Sequence, residues 1–261
     1  MFGPLTKAGA FENRLPGARS VALSQAVVAL PGIEGLFHNQ AALSFQQNFA
    51  GSLFYESRFG LKELSLMAAG LAWPAGGGVF GSSFTQFGTG AYRENKIGLA
   101  YAKRLGNLLA ASLQFDWVLE TLPENRRPQQ AVTFEGGLLI GNPDKLLAGV
   151  HLFNPLGVSL ETPAGKRRIP AAIRSGVTWF TSKSLLWCAE VQKTSSFPAL
   201  FKAGLEFSPL KRINFRAGIS SPPFAATAGV GFSFGSFTFD LGFSHHGNLG
   251  VSPSASLHFI P

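Results

Sequence analysis

The chain has 261 residues, of which 46% are hydrophobic and only 14% charged, an apolar balance for a soluble protein. Its single cysteine, Cys188, excludes an internal disulfide and any cysteine-rich zinc or iron–sulfur site. The net charge of +8 raises the question of nucleic acid, but the basic residues are scattered. They cluster only at Arg126-Arg127 and Lys166-Arg167-Arg168, in Pro-bearing loop sequence without a recognition motif, so no nucleic-acid partner is expected.

Taken in order, residues 1–20 carry Lys7, Glu12, Arg14 and Arg19, which does not read as a signal peptide, and the apolar run Val21 to Leu30 begins too late to be one. ARSVALSQAVVAL, at 18–30, predicts a short helix; Pro31-Gly32 and GLFHNQAALS, at 35–44, follow it. From about residue 48 the pattern changes to strict alternation, the period of a strand with two unlike faces. Leu64 to Tyr92 is free of charge and long enough for a helical span, but WPAGGGVFG breaks it into two strands and a tight turn.

Alternating segments between turn signals predict strands near 48–57, 62–73, 78–87, 95–104, 108–120, 131–141, 145–154, 170–181, 184–193, 199–208, 211–220, 223–234, 236–245 and 252–260. An even number of segments close to the ~9–11 residues that cross a bilayer at a tilt is the signature of a membrane barrel. Short connections such as PAGG, GNPD and PLK alternate with mostly longer ones such as TLPENRRPQQ and FNPLGVSLETPAGKRRIP. The expected fold is therefore all-β: a 14-stranded antiparallel transmembrane β-barrel of the bacterial outer membrane, residues 48–261, with residues 1–47 folded into its lumen.

Parity then sorts the side chains. Phe237, Phe239, Phe243 and Phe259 are expected to face lipid. Asp116, Glu135, Arg174, Glu190, Lys202, Glu206, Arg216, Asp240 and His258 are expected to face the lumen, where charges taken from water need partners; they predict an ion-pair network rather than a catalytic pair. Trp73, Trp117, Trp179 and Trp187 are candidates for interfacial belts. His245-His246 point to opposite faces and do not make a metal site. No nucleophile elbow, phosphate loop or dinucleotide motif is present, so neither enzymatic activity nor a cofactor is expected.

The order GARS-x-A-x-x-x-A-x-V-A followed by HNQAALS resembles the start of FadL-like barrels, especially the PorV and PorQ outer-membrane proteins of type IX secretion. KAGLEFSPLKRINFRAGI, FDLGF and LGVSPSASLHF are similar to that family's closing strands, and HLFNPLG to its mid-barrel Asn-x-Gly segment. Gln40 stands where the family's Pro is usual, and Ser252-Pro253 replaces a His-bearing turn. The resemblance assigns a plug motif to Arg19, Asn39, Ala42 and Leu43. It implies a non-enzymatic barrel that docks with a protein partner in an outer-membrane or secretion complex. The alternative is a FadL-like passage for small hydrophobic molecules, with the N-terminal segment as a movable hatch.

Overall fold

The computed structural model describes residues 15–90, 92–122, 128–162, 165–195, 197–222, 224–247 and 249–261. Among them, sixteen strands follow two short helices, α1 (Ala18–Ala22) and α2 (Gly35–His38), and a 3-10 turn at Gln40–Phe45. The strands are β1 (Ala50–Ser57), β2 (Ser65–Ala75), β3 (Gly78–Phe87), β4 (Arg93–Leu105), β5 (Leu109–Thr121), β6 (Gln129–Asn142), β7 (Leu146–Phe153), β8 (Ser159–Thr162), β9 (Gly165–Arg168), β10 (Ala172–Ser182), β11 (Leu185–Thr194), β12 (Leu200–Leu210), β13 (Ile213–Ser221), β14 (Ala225–Phe234), β15 (Phe237–His246) and β16 (Gly250–Phe259).

Fourteen of these strands form one closed antiparallel barrel, each paired with its neighbours in sequence, with β7 pairing β10 and β1 closing on β16. Closure satisfies every ladder group between strands, which allows a chain with no long apolar helix to cross a membrane. The alternation is plain in β5, where Leu113, Phe115 and Trp117 are exposed while Gln114, Asp116 and Val118 are buried. Leu99, Val132, Ile140, Phe201 and Phe215 extend the exposed apolar band around the barrel, the surface an outer-membrane barrel presents to lipid. This is an outer-membrane-type transmembrane β-barrel.

Phe237, Phe239 and Phe243 lie exposed on that outer face, and Phe259, partly buried, packs on Phe237 with ring centroids 5.2 Å apart. All four tryptophans also point outward. Trp179 and Trp187 are paired in register near the turn that joins β10 to β11.

Three features differ from the sequence-based expectation. The predicted helix at 18–30 ends at Ala22, because Ser24 and Gln25 take left-handed backbone conformations (φ 51° and 59°). Beyond them the amides of Val27 and Val28 donate to the Glu190 carboxylate instead of continuing a helical ladder. Second, the long connection after β7 contains the separate hairpin β8–β9. Asn154 ties it down by accepting from the Val158 amide and donating to the Ile169 carbonyl. Third, β15 and β16 remain paired as far as His246 and Gly250, so the loop expected over HHGNLGVSP shrinks to residues 247–249. Residues 124–127 and 163–164, within the loops expected outside the cell, lie outside the described residues.

Residues 18–45 pack on the inward face of the barrel, α1 against β13–β16 and the 3-10 turn against β3–β6. Glycines make the approach possible. Gly204 opposes Gly218 and Gly229 opposes Gly242 in register. A Cβ on Gly229 would stand 2.5 Å from that of Ala22, and one on Gly242 would stand 2.5 Å from the Ala18 carbonyl oxygen.

Candidate functional site

The nine charged residues predicted from parity are all buried, and the strands bring them into three groups. In the first, Arg174 grips Glu190 with two parallel bonds, Nε to Oε1 at 2.7 Å and Nη2 to Oε2 at 2.8 Å, while Lys202 Nζ reaches Oε1 at 3.1 Å. Arg174 also donates to the carbonyls of His38 and Gln25, at 3.1 and 3.4 Å. Glu190 accepts from the Val27 and Val28 amides at 3.0 and 2.9 Å, so this ion cluster bonds the wall to the N-terminal segment at four backbone groups.

The second group runs across β12–β16. Arg19 of α1 meets Glu206 in a bidentate pair at 2.8 and 2.7 Å. Arg216 bridges Glu206 at 2.5 Å to Asp240 at 2.6 Å. His258 lies 3.3 Å from both Asp240 and Glu34, and its Nδ1 is 3.0 Å from Ser52 Oγ. The third group joins β4–β7: Glu135 takes Lys96 at 2.5 Å, His151 at 3.0 Å and Gln40 at 2.8 Å, and Lys96 lies 3.8 Å from Asp116.

Of the residues given to the plug motif, Asn39 is fully buried and donates to the carbonyls of Val28 at 2.7 Å, Leu138 at 3.3 Å and Val150 at 3.4 Å. Ala42 and Leu43 are buried in two apolar clusters with residues of the wall. Sequence parity missed Lys96, although its inward position is legible beside the outward Ile97 and Leu99. Glu34 and His38 stand in a segment without periodicity and gave no signal. His38 is buried, with no hydrogen bond to either ring nitrogen among the described residues; burial, and then the Arg174 guanidinium, pushes it well below the usual imidazole range.

Cavities lie at both ends of the interior. At the end of the short turns, a cavity of about 280 Å³ is lined by Glu34, His38, Arg216, Asp240 and His258. At the loop end, one of about 190 Å³ is lined by Gln25, Arg58, Leu200, Lys202 and Thr227. The turn at residues 23–26 lies between the two. Next to the outer cavity, sharing Leu200 with it, is a more apolar cavity of about 390 Å³ lined by Gln192, Thr194, Phe197, Pro198, Leu200 and Pro222.

No family model matches the chain, and no curated protein matches it by sequence. Solved structures match its fold. The CymD monoaromatic hydrocarbon channel is 12% identical with a TM-score of 0.74, covering 97% of this chain and 99% of that one. A Pseudomonas aeruginosa FadL homologue is 11% identical with a TM-score of 0.71, covering 97% and 100%. The Ralstonia pickettii toluene transporter TbuX is 14% identical with a TM-score of 0.69, covering 94% and 98%. These three share the fold of this chain, and none of them is a PorV or PorQ protein.

Proposed function

We propose that the protein is an outer-membrane channel that admits small hydrophobic molecules. The observation that carries this reading is the apolar cavity at the loop end, about 390 Å³ and therefore within the roughly 300–1,000 Å³ of small-molecule sites. A molecule held by Phe197, Pro198 and Leu200 stands beside the outer polar cavity, and its way inward is barred by the turn at residues 23–26. Passage then requires the N-terminal segment to shift, and a ligand can drive that shift only by binding the shifted state more tightly. The fold shared with CymD, TbuX and the FadL homologue supports the same class of cargo.

The test is equilibrium binding of a monoaromatic hydrocarbon and a long-chain amphiphile to the purified chain in detergent. Saturable binding of either, weakened by Phe197→Ser and by Leu200→Asn, is the expected result. The ion pairs that clasp the N-terminal segment at two places favour a second reading, a permanently closed barrel that serves by binding another protein. Absence of saturable binding of both probes would leave that reading standing and remove the channel.

A further inference from the structure

Glu34, Asp240 and His258 converge on the cavity at the turn end. Asp240 pairs in register with Ser256, which sets His258 diagonal to it on the same inward face, and Glu34 comes down from the N-terminal segment between α1 and α2. His258 Nε2 is 3.3 Å from Glu34 Oε1 and 3.3 Å from Asp240 Oδ2, and the three atoms lie within 4.8 Å of one another. Ligands bound to zinc at about 2.0–2.1 Å in a tetrahedron stand about 3.3 Å apart. We propose that these three side chains bind one divalent transition-metal ion, zinc by the chemistry of the donor set, with the fourth position open to the cavity.

A second observation points to a ligand. Glu34 and His258 are only 8% and 5% exposed, yet Glu34 Oε1 and His258 Nε2, the two atoms aimed at the centre, meet only members of the trio itself, at the 3.3 Å ion-pair distances given above, and make no hydrogen bond among the described residues. The other polar atom of each residue is held from outside. Glu34 Oε2 accepts from the Ser20 amide at 3.2 Å, Asp240 Oδ1 accepts from Arg216 at 2.6 Å, and His258 Nδ1 lies 3.0 Å from Ser52 Oγ. Metal sites are built this way, with outer partners fixing the tautomer and orientation of each ligand.

Gly17 belongs to the same design. Its φ of 126° suits glycine, and a Cβ there would stand 2.6 Å from the Glu34 carboxylate. Charge is compatible: Glu34, Asp240 and Glu206 face two guanidiniums, Arg19 and Arg216, so with a neutral imidazole one negative charge is left over. A proton on His258 is the competing occupant. A bound ion would tie the N-terminal segment to β15 and β16 and act as a latch on it.

The full chain, purified in detergent and stripped with a chelator, is titrated at pH 8 with Co(II), whose visible d–d absorption reports tetrahedral coordination. One equivalent is expected to bind with that absorption, and one equivalent of zinc should displace it. Glu34→Gln and His258→Gln should abolish the band, and Ser52→Ala should weaken binding about 10–100-fold. His245→Ala, on the exposed loop end, should leave it unchanged. The wild type also reads out alone: its melting temperature should rise with zinc and fall with chelator. Lack of stoichiometric Co(II) and zinc binding by the wild type would overturn the proposal and leave His258 as a cation between two carboxylates. So would a band that persists in a folded Glu34→Gln protein or disappears in His245→Ala. No hydrocarbon enters this measurement, so its failure is distinct from failure of the channel reading.

Discussion

Glu190 is the residue on which the junction between wall and N-terminal segment depends most. Replacing it with glutamine keeps its shape and removes its charge. Arg174 and Lys202, both buried, then face each other without a counterion, and the Val27 and Val28 amides lose a charged acceptor. Removing one partner of a buried ion cluster costs about 3–5 kcal/mol, and hydrogen bonds to charged groups contribute about 1.5–3 kcal/mol each. Glutamine retains one oxygen for an amide, so a loss of about 3–5 kcal/mol is expected for Glu190→Gln in reversible urea unfolding from lipid vesicles. The hairpin pair Lys166–Glu161 serves as an internal control, since both side chains are more than 70% exposed (74% and 73%) and Lys166→Ala should cost under about 1 kcal/mol. If Glu190→Gln also costs less than about 1 kcal/mol, the cluster does not hold the segment to the wall.

Three further outcomes follow from the same geometry. Cysteine at position 166, on the β8–β9 hairpin, should be labelled by an impermeant reagent on intact cells, while cysteine at position 144 should react only after permeabilisation; the reverse pattern would invert the topology. Phe239→Arg places a charge on the lipid face two residues into β15 and should cost up to about 2–4 kcal/mol, the value for the bilayer midplane, whereas Thr238→Ser should cost little; equal costs would refute the parity. His38 is depressed in the folded protein, so between that value and about 6.5 the unfolded chain binds more protons and stability falls as the pH falls. His38→Gln should make that slope shallower by about 1.4 kcal/mol per pH unit, and identical slopes would contradict a neutral buried ring.

The barrel strands were legible because a period of two, repeated fourteen times, leaves little freedom of register once one face must meet lipid. Position along the barrel was not legible in the same way. Asp116 and Glu135 find Lys96 and His151 rather than the cations assigned from parity alone, because parity fixes the face while register fixes the neighbour. The N-terminal segment was the least readable part. Its path is set by side chains far away in sequence, as when Glu190 captures two amides and ends any continuation of α1, and no local propensity encodes such a contact. The hairpin β8–β9 escaped notice because its four-residue strands are too short for an alternation to emerge.

The central claim, a closed outer-membrane barrel that passes hydrophobic molecules, is tested most directly by uptake of a radiolabelled monoaromatic hydrocarbon into cells that carry the chain in their outer membrane and lack any channel of this kind. The account predicts saturable uptake above empty-vector cells, reduced by Phe197→Ser and Leu200→Asn at unchanged protein levels. Uptake equal to that of empty-vector cells, with the barrel folded and inserted, would contradict it.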